Sequence, residues 1–390
     1  MVIPPTSRPT ETTKINPPPE SKSDQVSVSR RGFVAATTSI AATAAVYSGI
    51  KAKAESLPES TATLPAIDCQ SHLFCSAIIE RMRKRKEDPV VYEHDGTTVL
   101  RMGDWIRKIP PMYLDVDAKL AAMDAASIQM TGLSINDPGP EWFGEDAAEI
   151  AQIANDFVHS ITKQHPTRFF GIGVLPWLHV DEAIKELERC QRDLGIRGVL
   201  LYTNIAGQFS DERKFWPILS KAAELSMPVA LHPAKPLTTD IVKGFEMTST
   251  LGNMFDNTIA LTRLIMSGIL DEMPSLQLIC PHLGGALPYI IGRLDHQVTV
   301  LKRGPRYLKR KPSEYLNHLW MDIVSPLPLA MKFAYEMVGA DRLLFSSDHP
   351  WVEPKLIRDC LSSLSLPDED VKKILYRNAQ GLYHLSAITD

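Results

Sequence analysis

From residue 65 onward, short apolar runs alternate with longer segments whose apolar positions recur at helical spacing. Eight runs stand out: AIDC (66–69), MTGLSI (130–135), FFGIGVLP (169–176), RGVLLYT (197–203), PVALHP (228–233), LQLICPH (276–282), LWMDIV (319–324) and RLLFSSD (342–348). They are bounded by turn residues and lack a clean polar alternation, which suits strands buried on both faces of a parallel sheet. Between them lie amphipathic stretches such as VDEAIKELERCQRDLG (180–195) and DERKFWPILSKAAELS (211–226). In the first, Ala183, Ile184, Leu187 and Leu194 share one face, and Gly195 stands where a C-cap belongs. Eight β–α repeats predict an α/β fold of the (β/α)8 barrel type. A doubly wound open sheet would ordinarily carry a Gly-rich phosphate loop after its first strand. Here that strand runs into DCQSHLF instead.

Two insertions interrupt the rhythm. Residues 74–116 follow the first strand, and within them VYEHDGTTVLRMGDW predicts a hairpin turning at Asp95-Gly96. Residues 234–258 lengthen the loop after the fifth strand; long loops on this face of a barrel shape or cover a substrate pocket.

The start of the chain reads differently. Residues 1–29 are rich in Pro, Ser, Thr and Lys and predict disorder. Arg30 and Arg31 then precede a small-residue apolar run from Val34 to Ile50, closing on Ala52-Lys53-Ala54. That order resembles a twin-arginine export signal, which predicts a periplasmic or extracytoplasmic protein with residues 1–54 removable and 55–390 as one barrel domain. The other readings are an amphipathic start to the barrel or a membrane anchor, for which the run is short and Ala/Thr-rich.

Composition, with 44% hydrophobic and 23% charged residues, is that of an ordinary soluble globular protein. Cleavage after Ala54 would remove 7 Lys+Arg and 3 Asp+Glu, leaving 35 positive against 43 negative residues, a net of −8. An acidic chain disfavours nucleic acid and anionic membrane as partners. The basic run RMRKRK (81–86) predicts a solvated helix face. Five cysteines, at 69, 75, 190, 280 and 360, form no C-x-x-C pair and imply no disulfide framework; Cys69 and Cys280 read as small buried hydrophobes.

Barrel enzymes carry their chemistry where strands end. Those positions supply Gln70 and His72, His232, His282 and Asp348, in a chain with only 11 histidines. Gln70 and His72 are two residues apart in extended chain, so both side chains point the same way, as a shared metal requires. Singly, each residue has a structural alternative; Asp348, ahead of Pro350, could cap a helix. Five polar groups at the ends of four strands are better explained by a common centre.

In IDCQSH, LHP, LICPHLGGALPYIIGRLD, LLFSSDHPWVEP and the closing VKKILYRNAQGLYHL, the chain resembles the amidohydrolase superfamily, in the branch of aminocarboxymuconate-semialdehyde decarboxylase. The likeness spans about residues 65–385. It implies His72 and His232 as metal ligands, Asp348 as a ligand that also handles protons, and His282 as the group that activates or orients metal-bound water. A divalent ion lowers the pKa of water from about 15.7 toward roughly 7, and an imidazole can exchange that proton near neutral pH. Gly284 and Gly285 would turn the backbone tightly after His282.

Gln70 departs from the family's His or Glu. With Gln70, two neutral histidines and one aspartate, the centre keeps about one net positive charge. Zinc is the expected ion, though the oxygen-biased donor set weakens its case against the alternatives manganese and magnesium; Gln70 either ligates or leaves the ion to the other three. Trp177 could stack on a planar substrate or belong to the core. Arg101 or Arg107 could clamp a carboxylate or stand solvated, and Asp256 reads as a helix cap. The expected activity is hydrolysis of a small carboxylated or carbonyl compound through metal-activated water. Alternatives are non-oxidative decarboxylation of a small aromatic or unsaturated acid, and a metal-free binding protein on the same scaffold. The resemblance further implies a homodimer.

Overall fold

The structure, a computed structural model, describes residues 64–135 and 137–386. The expected export signal and N-terminal tail lie outside the described residues. Eight strands form one parallel sheet: β1 (Ala66–Leu73), β5 (Ile128–Ile135), β6 (Phe169–Gly173), β7 (Gly198–Tyr202), β10 (Val229–His232), β11 (Leu278–Cys280), β12 (Trp320–Asp322) and β13 (Leu343–Leu344), neighbours in that order. The first and last are joined as well. Cys69 N–H donates to the Phe345 carbonyl (2.9 Å), Asp348 N–H to that of Gln70 (2.9 Å) and His72 N–H to that of His349 (2.8 Å). The sheet therefore closes on itself as the barrel the repeats predict.

Burial explains why these runs become strands. Every residue of β1, β6, β7 and β10 is buried, as a barrel requires when side chains fill its interior and helices cover its outside. The helix Val180–Arg192 buries Ala183, Leu187 and Cys190, and Gly195 follows it with φ +64°. Over 211–226 the α-helix spans only Trp216–Glu224, preceded by a tighter turn at Arg213–Phe215. Pro217 has no N–H to give, so it is accommodated in the first turn.

After β1 and a helix at Ser76–Arg83 come three antiparallel strands, β2 (Val90–His94), β3 (Thr97–Met102) and β4 (Trp105–Lys108), and a short antiparallel pair, β8 (Asn204–Ile205) and β9 (Gln208–Phe209), follows β7. The hairpin turns at Asp95 and Gly96, with φ of +48° and +70°, the pairing a two-residue turn favours. The basic run falls across the end of the Ser76–Arg83 helix; Arg83 pairs with Glu80 and Glu93, and Arg81 with Glu149. All five cysteines are free and buried.

The seam between β1 and the chain after β13 is polar, and Asp68 and Ser347 pair across it. Asp68, fully buried, accepts from Ser347 N–H (3.0 Å), Ser347 Oγ (2.5 Å) and Gln70 N–H (3.2 Å). Burial lifts its carboxyl to about 6 against the pull of those donors. Ser347 Oγ also accepts from His349 N–H at 3.1 Å. Ser347→Ala would leave two buried groups short of a partner and should cost about 1–3 kcal/mol in denaturant unfolding; an unchanged midpoint would deny the seam its role.

Candidate metal centre and acid–base pair

His72 belongs to β1 itself, which runs through Leu73 rather than ending at Cys69. Its alternation with Gln70 brings both side chains to one oxygen: His72 Nε2 lies 3.2 Å and Gln70 Nε2 3.3 Å from Asp348 Oδ1. His232, the last residue of β10, puts its Nε2 3.0 Å from His72 Nε2 and 3.9 Å from the same Asp348 oxygen. One ligand atom from each of His72, His232 and Asp348 falls within a 4.8 Å span. Each of the three is nine-tenths buried or more.

The partners on the far side of each ring decide what faces inward. His232 Nδ1 meets the Pro233 carbonyl at 2.8 Å, which can only accept, so Nδ1 carries the proton and Nε2 turns a lone pair into the site. His72 Nδ1 meets Ser134 Oγ at 2.7 Å, and with that hydroxyl accepting, its Nε2 does the same. Burial first, and the facing His232 second, hold the His72 imidazole below its ordinary value, in its neutral form. Two lone pairs 3.0 Å apart beside a carboxylate repel unless a cation lies among them. This donor set fits a divalent ion.

Gln70 meets Asp348 with its amide nitrogen, so as placed it steadies the carboxylate and offers no oxygen at that contact. Asp348 caps no helix through its side chain; the helix Pro354–Ser362 begins after Glu353. Burial opposes its charge, but the surrounding His232, His282 and His72 outweigh that and hold the carboxyl well below the usual range. Its φ of +62° is costly for a non-glycine residue and recurs at His282 (+53°) and Leu283 (+55°).

His282 Nε2 lies 3.4 Å from Asp348 Oδ2, the oxygen turned away from His72. Its backbone N–H is pinned by Asp322 Oδ1 at 2.7 Å, and its Nδ1 faces Asn257 Nδ2 at 3.1 Å. Burial disfavours the imidazolium, but Asp348, with Asp322 behind it, outweighs burial and raises the His282 value. The following glycines serve as expected. Gly284 and Gly285 have φ of +75° and +63°, and a Cβ on Gly285 would lie 2.6 Å from the Met254 carbonyl oxygen.

The remaining candidates are engaged elsewhere. Trp177 is fully buried and donates its indole N–H to the Leu200 carbonyl at 3.0 Å, so it is a core aromatic with no face for a substrate. Arg101 sits on the hairpin, paired with Asp88 at 2.8 Å. Arg107 grips Asp137 with both terminal nitrogens (2.7 and 2.9 Å) and stacks over Trp105, so its fork is already occupied. Asp256 does not cap its own helix, Asn253–Ser267; it accepts from Thr203 Oγ1 (2.5 Å), Asn204 Nδ2 (3.0 Å) and Leu237 N–H (3.2 Å), tying the segments after β7 and β10 to that helix. Ser134 and Asp322 were findable by the strand-end rule: Ser134 pairs with His72 in register, and Asp322 closes β12.

A closed parallel barrel whose strand ends gather two histidines and an aspartate, with a third histidine on the aspartate's far oxygen, is the build of a metal-dependent barrel enzyme. A family model described as amidohydrolase matches residues 67–385, and the chain belongs to that family. Gamma-resorcylate decarboxylase of Polaromonas sp. is 32% identical over 299 residues, covering 73% of this chain and 91% of the relative. A crystal structure of 2,6-dihydroxybenzoate decarboxylase complexed with 2,6-dihydroxybenzoate superposes with TM-score 0.69 at 28% identity, over 82% of this chain and 99% of the other. A dihydroxybenzoic acid decarboxylase from Polaromonas sp., solved with manganese and the inhibitor 2-nitroresorcinol, gives TM-score 0.70 at 29% identity, over 82% and 97%. These relatives are decarboxylases. The expectation of hydrolysis gains no support from them, and its alternative does.

Because Ser134 sets which His72 nitrogen faces inward, Ser134→Ala should weaken divalent-metal binding about 10–100-fold, the usual penalty for losing a group that orients a ligand. Metal titration of dialysed protein measures this; unchanged affinity would remove His72 from the donor set.

Proposed function

We propose that this protein is a metal-dependent, non-oxidative decarboxylase of a small hydroxylated aromatic acid. The observation that carries the reading is the Asp348 carboxylate shared between two faces: Oδ1 toward His72 and His232, Oδ2 toward His282. One face holds charge and the other moves a proton. Support comes from the decarboxylases to which the chain is similar. Manganese, present in one of those structures, is the ion this reading takes in preference to zinc, since the donors mix imidazole with oxygen.

A divalent ion held by His72, His232 and Asp348 would draw the substrate carboxylate and a neighbouring ring oxygen to the mouth and bear their negative charge. The chain's own groups do the rest. His282, fixed by Asp322 at its backbone and Asn257 at Nδ1, carries a proton on the nitrogen that faces Asp348. The Asp348–His282 pair passes that proton to the ring carbon bearing the carboxylate. The bond from that carbon to the carboxylate then breaks, its electron pair stays with the ring, and CO₂ leaves. One proton is consumed and no water is split. Burial of the donors keeps bulk water from the protonated ring.

Incubation of the manganese-loaded protein with 2,6-dihydroxybenzoate and related hydroxybenzoates should release CO₂ with one equivalent of the matching phenol. Failure across that set, with metal bound, would sink the proposal. His282→Ala should lower kcat by about 10²–10⁴-fold, the range for a lost general acid, while metal content stays at the unmutated level. Loss of metal together with activity would instead make His282 part of the donor set.

A further inference from the structure

A second buried acid stands apart from the metal donors. Glu141 lies in the turn after β5, is 6% exposed, and neither carboxylate oxygen has a hydrogen-bond partner. Its own N–H and that of Gly139 face the carboxylate without completing a bond. Beside it is Tyr202, the last residue of β7 and the register partner of His232. Tyr202 is fully buried, and its hydroxyl is likewise without a partner. Gly139 lets the two meet: a Cβ there would lie 2.2 Å from the Tyr202 ring and 2.4 Å from Glu141 Oε2. Buried polar side chains in folded proteins rarely go unpaired, and two side by side call for a group from outside the chain.

Glu141 also lines a cavity of about 480 Å³, with Trp142, Asn204, Ala234, Lys235 and Pro236 among its walls. That volume lies within the range of small-molecule sites. Ala234 and Lys235 follow His232-Pro233 directly, so the cavity lies beside the mouth that holds the metal donors. Nearby charges are spoken for. Lys235 pairs with Asp104 at 3.0 Å, Arg107 with Asp137, and Asp256 with Thr203 and Asn204. Neither Lys235 nor Arg107, among the described residues, is left for Glu141. Burial, reinforced by the charge of Asp137, pushes its carboxyl up to about 8, so it keeps its proton at neutral pH. A neutral carboxyl offers one donor and one acceptor, which is what a hydroxyl group complements.

We propose that Glu141 is a specificity-determining residue, and that it receives a ring hydroxyl of the aromatic substrate in this cavity. The identity of the ligand as an aromatic acid rests on the decarboxylase reading; the polar subsite does not. A hydroxyl there would accept from the carboxyl and donate back to it. An analogue without that hydroxyl would leave Glu141 as it now stands, which is the basis of discrimination.

The test uses the manganese-loaded full chain and two probes that cannot lose CO₂, resorcinol and phenol, titrated by calorimetry. Resorcinol should bind about tenfold or more tightly than phenol, the worth of one well-made hydrogen bond. Glu141→Leu should erase that preference, and Glu141→Gln, which keeps a donor and an acceptor, should retain most of it. No preference in the unmutated protein, or a preference that survives Glu141→Leu, overturns the proposal. Should Glu141→Leu not fold, infrared difference spectra of the unmutated protein decide. The carbonyl band of a protonated carboxyl, assigned by its loss in Glu141→Gln, should shift with resorcinol and not with phenol; an unmoved band is equally fatal. Hydroxybenzoate turnover is followed in parallel. Intact discrimination without CO₂ release would refute the decarboxylase reading and leave the subsite standing.

Discussion

Everything at the barrel mouth is arranged around the carboxylate of Asp348, which meets four side chains from three other segments of the fold. His72 and Gln70 come from β1, His232 from β10, and His282 from the turn after β11. A carboxylate so deeply buried stays ionised only because its contacts outweigh the desolvation cost. The left-handed backbone at Asp348 and His282 is part of that arrangement, since strained conformations persist where surrounding structure over-determines them.

The closure that makes this possible is itself polar. Behind the site, Lys119 is 1% exposed, and its Nζ donates to Ser71 Oγ (2.6 Å) and the His349 carbonyl (3.2 Å) and faces His349 Nδ1 at 2.8 Å. Burial pulls its pKa down to about 7 against the attraction of Asp68 and Asp348, and pushes His349 to about 3. The seam thus joins β1 to the residues flanking Asp348 through groups that satisfy one another. An apolar seam would pack as well but would not set the angle of the chain at Asp348. Satisfied buried networks of this kind specify one geometry.

How far the sequence could be read follows from what each inference needed. Barrel strands show as apolar runs because both faces are buried, and the hairpin shows because Asp95-Gly96 supplies two positive φ angles. The gathering of Gln70, His72, His232, His282 and Asp348 was legible because a barrel brings strand ends to one rim. Ser134 and Asp322 obey the same rule but are residue types that usually serve structure, so the strand-end pattern alone gave them no weight. Trp177 shows the rule's other side: its place after a strand says nothing about which way the ring turns, and packing against Phe215 takes it inward. Glu141 was invisible, since its interest lies in having no partner, a property of three-dimensional surroundings alone.

The same features bear on the proposed decarboxylation. Attack by water requires a negatively charged hydroxide held opposite the proton carrier, whereas decarboxylation requires a carboxylate there. With a neutral amide at Gln70, the donors His72, His232 and Asp348 bring a single negative charge to a divalent ion. The centre then retains about one positive charge by simple counting. An anionic carboxylate would supply the charge that an acidic fourth side chain would otherwise bring. Neutral Gln70 thus leaves an electrostatic deficit that a substrate carboxylate would meet directly, whereas a hydroxide would meet it only after a water had given up its proton.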